Sequence, residues 1–355
     1  MGKSAGDNRH CERSEAIQPD PNMNNIKLSL GPFQGITDAP FRNVFKKHFG
    51  GIDKYYTPFF TGIQKDHAKN MQVEEIDPRF NDVETLTPQI LSTDAEEILR
   101  FASQCKELGY KEINLNMGCP FPRVANKKRG CGLLPYPEKI DAMLGTVFER
   151  IDLKFSIKCR LGYFSPDEIV PVIDIFNQYP LSELIIHPRI GKQLYKGEAD
   201  VQRFAELMPL IKAPLVYNGD IVSVESFELI REQVKPVNEF MLGRGLLANP
   251  FLAEEIKAAD SRHCERNEVE RGNPTNIGSG QLTRTERLHA YVLDLYEDRL
   301  RHAGGSPKVL GRMKELWSYL MYSFDNPQDI WRKIKKINAL KEYEEAVEAV
   351  FMKNY

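Results

Sequence analysis

The 355-residue chain has no apolar run near the roughly 20 residues that span a bilayer. Its first twenty residues, MGKSAGDNRHCERSEAIQPD, lack a signal-peptide core, and Gly6 stands where a myristoylation signal needs Ser or Thr. An excess of one charge is also missing. Against 50 acidic residues stand 48 Lys and Arg, for a formal net charge of −2. The surface as a whole therefore does not favour a polyanion, and any nucleic-acid contact must come from local basic patches. Six cysteines, at 11, 105, 119, 131, 159 and 264, are too few and scattered for a disulfide framework. None has zinc-ligand spacing, so no metal is expected, and a reducing cytoplasm is the expected compartment. The glycine-rich fingerprint of a dinucleotide-binding doubly wound sheet is absent as well, because GPFQGITD follows the first β-rich run in its place.

What is present is alternation. β-rich runs stand at 26–33, 54–60, 84–91, 111–117, 154–161, 183–188, 214–219 and 239–245, with amphipathic stretches such as DAEEILRFASQCKELG between several of them. Eight β/α units in this length predict an α/β fold, a closed (β/α)8 TIM barrel over residues 23–257. From 284 to 355 the spacing becomes helical and predicts a small all-helical C-terminal domain. The heptapeptide RHCERSE at 9–15 recurs as RHCERNE at 262–268, six of seven residues identical. One distant copy is no solenoid. It reads as a mobile sequence element carried in tolerant places, so residues 1–22 and 258–283 are expected to be disordered, with Met23 as the start of the working protein.

Side chains alternate faces along a strand, which assigns the barrel interior by parity. Asn114 and Asn116 face inward while Ile113, Leu115 and Met117 face the helices. Gln89, Asn116, Lys158, His187 and Asn218 each lie near the C-terminal end of their strand, where barrel active sites are built. Five successive strands ending this way predict a polar ligand, and a lysine placed there calls for an electron-rich one. The loops NGDI and GRGLLANP follow strands seven and eight. Gly219, Gly243 and Gly245 allow close backbone approach, and Arg244 offers a fork for phosphate. A phosphate at one rim with a lysine and amides at the mouth suits a flavin mononucleotide.

The motifs QGITDAPFR, PQI, LNMGCP, RGCGLL, IKCRLG, NGDI and GRGLLANP, in that order between residues 28 and 255, resemble those of the dihydrouridine synthase family. The resemblance implies an FMN-dependent flavoenzyme that reduces specific uridines in tRNA to dihydrouridine, with NADPH or NADH as electron donor. It further implies that Pro32, Phe33, Gln34, Gln89, Lys158, His187, Asn218, Gly219, Asp220, Gly243 and Arg244 hold FMN, and that Cys119 is the proton donor. Reducing the C5–C6 bond of uracil needs hydride at C6, from flavin N5, and a proton at C5. A thiol with an ordinary pKa of ~8.5 is still mostly protonated near neutrality and can act as the acid.

The target base must leave its stack. Asn116 is expected to meet it or the flavin, and Arg160 to meet the tRNA. Arg123, Lys127, Lys128 and Arg129, in a mobile loop after the cysteine, are expected to meet phosphates. In the family the helical domain grips tRNA, which assigns Arg312, Lys333 and Lys335 to the same substrate, while Trp317 and Tyr319 read as core. A monomer is expected. Two other readings stay open: an FMN barrel acting on a free pyrimidine, of the dihydroorotate dehydrogenase kind, and an RNA-binding relative without catalysis.

Overall fold

The structure is a computed structural model that describes residues 26–63, 75–268, 282–302 and 305–353. The expected tail at 1–22, with the first repeat copy, lies outside these residues. All eight expected strands are present. They form β1 (Lys27–Leu30), β2 (Lys54–Tyr56), β3 (Leu86–Thr87), β4 (Gln89–Ile90), β5 (Glu112–Met117), β6 (Lys154–Gly162), β7 (Leu184–Ile190), β8 (Leu215–Tyr217) and β9 (Glu239–Leu242). β3 and β4 are halves of one expected strand, divided at Pro88, which has no N–H to give the ladder. The sheet order is β3-β2-β1-β9-β8-β7-β6-β5-β4, with every pair parallel. Its two ends are those halves, so the sheet closes on itself as an eight-stranded barrel.

Around it run α1 (Ala39–His48), α2 (Ala95–Glu107), α3 (Pro122–Ala125), α4 (Pro137–Phe148), α5 (Ile169–Phe176), α6 (Val201–Leu207), α7 (Val224–Gln233), α8 (Arg244–Ala248) and α9 (Leu252–Glu268). The C-terminal bundle is α10 (Arg284–His302), α11 (Ser306–Leu320), α12 (Pro327–Ile334) and α13 (Leu340–Met352). Strand parity separates two cores. Tyr56, Ile185, Val216 and Met241 form a small apolar cluster of their own, set apart from the large core. Outward residues such as Leu115, Ile157 and Leu184 pack in that large core with the helices. Below the small cluster, the Lys54 ammonium bridges Glu112 (2.9 Å) and Glu183 (2.7 Å), and the Tyr56 hydroxyl donates to Glu183 (2.8 Å). This ionic floor occupies the end of the barrel away from the catalytic loops.

Two expectations are corrected. The segment 258–283 was read as disordered, yet α9 continues through residue 268. Its Glu-, Ala- and Arg-rich sequence favours a helix, and Asp260, beyond the first turns, pairs with Arg231 of α7 at 2.6 Å. Residues 269–281 lie outside the described residues. The stretch after Cys119, read as a mobile loop, opens with the short helix α3, started by Pro122 where a missing N–H costs nothing.

The bundle is fastened to the barrel. Tyr291 of α10 packs edge-on against Phe41 and Phe49, and residues of both parts share one apolar core. Buried Asp38 caps α1 by accepting from the Phe41 N–H (3.2 Å). Its carboxylate also receives buried Arg299 of α10 (3.2 Å) and Arg312 of α11.

Candidate active site

The C-terminal ends of the strands and helix α11 of the bundle border an open cleft. It is continuous with a recess reaching the β8 and β9 loops, since Lys158, His187, Tyr195 and Phe33 line both.

Cys119 lies where β5 ends and the chain turns. Asn116 fixes that turn: its Oδ1 accepts from the N–H groups of Gly118 (3.1 Å) and Cys119 (2.9 Å). Its Nδ2 donates to Gln89 Oε1 (2.8 Å), Gln89 Nε2 donates to Asn114 Oδ1 (2.8 Å), and Asn114 Nδ2 donates to Ser156 Oγ (2.9 Å). From the other side, Arg160 donates to the carbonyls of Gly118 (3.1 Å), Ile190 (3.0 Å) and Leu194 (2.7 Å). The return segment crosses so close that a Cβ at Gly130 (φ +55°) would lie 2.6 Å from the Cys119 carbonyl oxygen. Cys131 donates to that carbonyl through its N–H (3.2 Å) and its thiol (3.3 Å), and both cysteines are free. Burial pushes the Cys119 thiol above its ordinary value, against the pull of Arg123, Arg160 and Lys158. The group is a protonated thiol in a fixed place, which is what a proton donor needs.

Lys158 faces the same cleft and has no hydrogen-bond partner or ion pair among the described residues. Burial, then Arg160, brings its ammonium down to about 8. His187 is pushed well below its ordinary value by burial and by Arg160, Lys158, Arg189 and Arg244. It is therefore neutral. Arg189 can only donate, and its Nη1 lies 3.0 Å from His187 Nε2. That nitrogen must accept, so Nδ1 carries the proton. Asp220 binds Arg189 in a fork and also receives Arg244 (2.8 Å). Asn218 is tethered by donating to the Met241 carbonyl (2.8 Å). At Gly219 a Cβ would meet the Tyr217 hydroxyl at 2.0 Å, so no other residue passes there without displacing it. Lys158 and Arg244 line the recess, where the lining carboxylate, Asp220, is already paired with Arg189 and Arg244, so the recess favours an anionic ligand.

Several expected roles change on this geometry. Gln89 is fully buried, bonds through both ends of its amide to neighbouring asparagines and does not line the cleft. Asn116 lines the cleft but is committed to the cysteine turn. Arg160 is 1% exposed and braces that turn by donating to backbone carbonyls. Asp220 acts through the two arginines it holds. Arg312 is spent on Asp38. Tyr319, read as core, lines the cleft with its ring edge-on to Phe33 (centroids 6.1 Å), whereas Trp317 is core as expected.

Pro32, Phe33 and Gly243 stand at the recess, and Gln34 is exposed at the mouth. Arg123, Lys127, Lys128, Lys333 and Lys335 are exposed; Arg129 is half-buried near Thr61. Arg189, Tyr195, Glu315 and Tyr319 are site residues that the sequence reading missed. Arg189 shares His187's strand face, a signal that was available. Glu315 and Tyr319 arrive from α11, far along the chain, and carried none. Among the described residues no group of three or more His, Cys, Asp or Glu is placed to hold a metal, and no helix is long and apolar enough to cross a membrane.

Known proteins resemble the chain across both parts. The family model described as dihydrouridine synthase (Dus) matches residues 29–348. tRNA-dihydrouridine synthase B of Pasteurella multocida is 28% identical over 227 residues, 64% of this chain and 67% of that protein. tRNA-dihydrouridine(16) synthase of Pseudomonas syringae pv. tomato is 29% identical over 241 residues, 66% of this chain and 75% of that protein. The tRNA-dihydrouridine(16) synthase of Neisseria meningitidis serogroup A is 24% identical over 318 residues, covering 88% of this chain and 90% of its own. A match that begins in β1 and ends within α13, over a barrel whose cleft holds the cysteine of LNMGCP, has one reading: the chain belongs to the dihydrouridine synthase family.

Proposed function

We propose that the protein reduces the C5–C6 double bond of a uridine in tRNA, with FMN in the recess and NADPH or NADH as the electron source. The observation that carries this reading is Lys158, a half-buried cation without an anionic partner among the described residues, facing the same cleft as the protonated thiol of Cys119. FMN fits what is there: its phosphate matches the Arg189–Asp220–Arg244 corner, and the electron-rich edge of its ring system matches Lys158 and the His187 Nδ1–H. When bound and reduced, FMN supplies the hydride to C6 of the base.

The protein supplies the rest. Cys119 gives its proton to C5, and the Asn116 and Arg160 contacts keep the thiol from swinging away. Arg160 and Lys158 lie close enough to stabilise the thiolate that remains. Arg123, Lys127, Lys128 and Arg129 meet the phosphates beside the target, and the helices of 284–355, through exposed cations such as Lys333 and Lys335, grip the tRNA body. The barrel of 23–257 is the catalytic unit, acting in the cytoplasm as a monomer.

The test is mass spectrometry of unmodified tRNA incubated with flavin-loaded protein and NADPH. The expected result is a gain of two hydrogens at one uridine, reduced by about 10²-fold or more in Cys119→Ala while flavin content is kept. Flavin turnover with no change in tRNA would favour a free pyrimidine as substrate. A protein that binds no flavin would sink the reading.

A further inference from the structure

Three adjacent strands, β5, β6 and β7, each end in a loop that holds an aromatic ring in water. Phe121 is 45% exposed, Phe164 60% and Tyr195 39%. Each ring has a cation beside it. The Arg123 guanidinium lies 6.0 Å from the Phe121 centroid, the Lys192 ammonium 5.3 Å from that of Phe164, and the Arg160 and Arg244 guanidinia 5.3 and 5.1 Å from that of Tyr195. Phe121 and Tyr195 border the cleft; Phe164 stands outside it.

Phe164 is held outward by a built turn. The Glu168 carboxylate accepts from the Tyr163 N–H (2.6 Å) and, through both oxygens, from the Phe164 N–H (3.3 and 3.2 Å). A Cβ at Gly162 would lie 2.0 Å from the Ser165 carbonyl oxygen, so the turn closes only over glycine. Tyr163 goes inward against Gly191, and its ring meets that of Phe164 edge-on at 4.6 Å. An exposed phenylalanine alone is ordinary. One fixed by a spent carboxylate, with a cation over it, in series with two others of the same kind, is not. Of the two carboxylates that follow in sequence, Asp167 is paired with Arg203 (2.6 Å) and Glu168 turns its oxygens to backbone N–H groups, which leaves Lys192 as the charge beside the Phe164 ring.

We propose that Phe121, Phe164 and Tyr195 form a stacking arc for unpaired RNA nucleotides next to the target, with Phe164 carrying a base outside the catalytic cleft. Alternating π-faces and cations match the alternating bases and phosphates of an unstacked strand. The arc also answers a requirement of the chemistry: a base drawn into the cleft leaves neighbours without a stacking partner. This inference rests on the tRNA reading above.

The experiment uses the flavin-loaded full chain and a labelled unmodified tRNA transcript. Phe164→Ala and Phe164→Leu should each weaken tRNA binding about tenfold, the scale of one lost base stack. Phe164→Trp should restore binding, and its indole emission should be quenched when tRNA is added. NADPH oxidation without tRNA should be unchanged in all three. Wild-type affinity in Phe164→Ala, or indole emission indifferent to tRNA, overturns the arc. If the wild-type chain itself binds no tRNA, the broader reading fails and the arc with it, an outcome distinct from failure of the arc alone.

Discussion

Among the described residues Lys158 has no counter-ion, and the flavin-free protein carries the desolvation cost of that arrangement. Its folded value of about 8 lies below the ordinary 10.5. Between those values the folded chain binds fewer protons than the unfolded one, so the stability of the flavin-free protein should rise as pH climbs from about 8 towards 10. Urea denaturation should show this rise in wild type and not in Lys158→Met. At pH 7 Lys158→Met should be more stable than wild type by roughly 2 kcal/mol and bind FMN much more weakly. Cys119 has the opposite sense. Its thiol is raised, and a proton donor fails only when pH rises past its pKa. Single-turnover reduction of tRNA at saturating flavin should therefore hold across the pH range in which an ordinary thiol ionises, near about 8.5, and decline only above it. A decline already complete by pH 8 would take the proton from some other group. The identity of both residues was legible from strand parity and the Gly-Cys-Pro turn. The commitment of Gln89 and Asn116 to each other was not, because parity tells which face a side chain takes and nothing of whom it bonds.

Between elements, the QGITDAPFR segment works as a latch. Asp38 is at once the cap of α1 and the shared partner of Arg299 and Arg312. Asp38→Ala leaves Arg299 buried beside α1 without a carboxylate, and should cost about 3–5 kcal/mol in chemical denaturation. Arg312→Ala, which removes a half-exposed partner, should cost nearer ~1 kcal/mol. Equal losses would mean the latch is not arranged this way. The latch also sets the cleft, since α11 carries Arg312 and, one turn on, Glu315 and then Tyr319 on the cleft side. Helical spacing made α11 legible as a helix. Which of its faces would border the barrel mouth was settled by a bond to a residue 274 positions away.

Over the whole molecule the near-neutral charge hides a division of labour. Lys158 and Arg244 line the recess beside an already paired Asp220, and Arg123, Lys127 and Lys128 stand exposed on the loop after Cys119. If that loop meets phosphates, log affinity for tRNA should fall less steeply with log salt in the double variant Lys127→Gln, Lys128→Gln. The slope should shrink by about 0.7 per contact removed, so by roughly 1.4. Arg312→Gln, whose charge faces Asp38, should leave the slope unchanged. Filter binding from 50 to 300 mM salt would compare them, and a slope unaltered in the double variant would place the loop away from the tRNA.

The sequence by itself determined the eight strands, the barrel they close, the inward polar residues and the thiol that ends β5. Each of these follows from short-range rules: two-residue alternation, helical spacing and the chemistry of a turn. Only the tertiary structure decided that Gln89 would bond to Asn114 and Asn116, that Arg312 would pair with Asp38, and that Glu315 and Tyr319 would complete the cleft. The physical reason is the same in each case. A buried polar group takes whichever partner packing brings within reach, and that partner is chosen by the fold and not by neighbours in sequence.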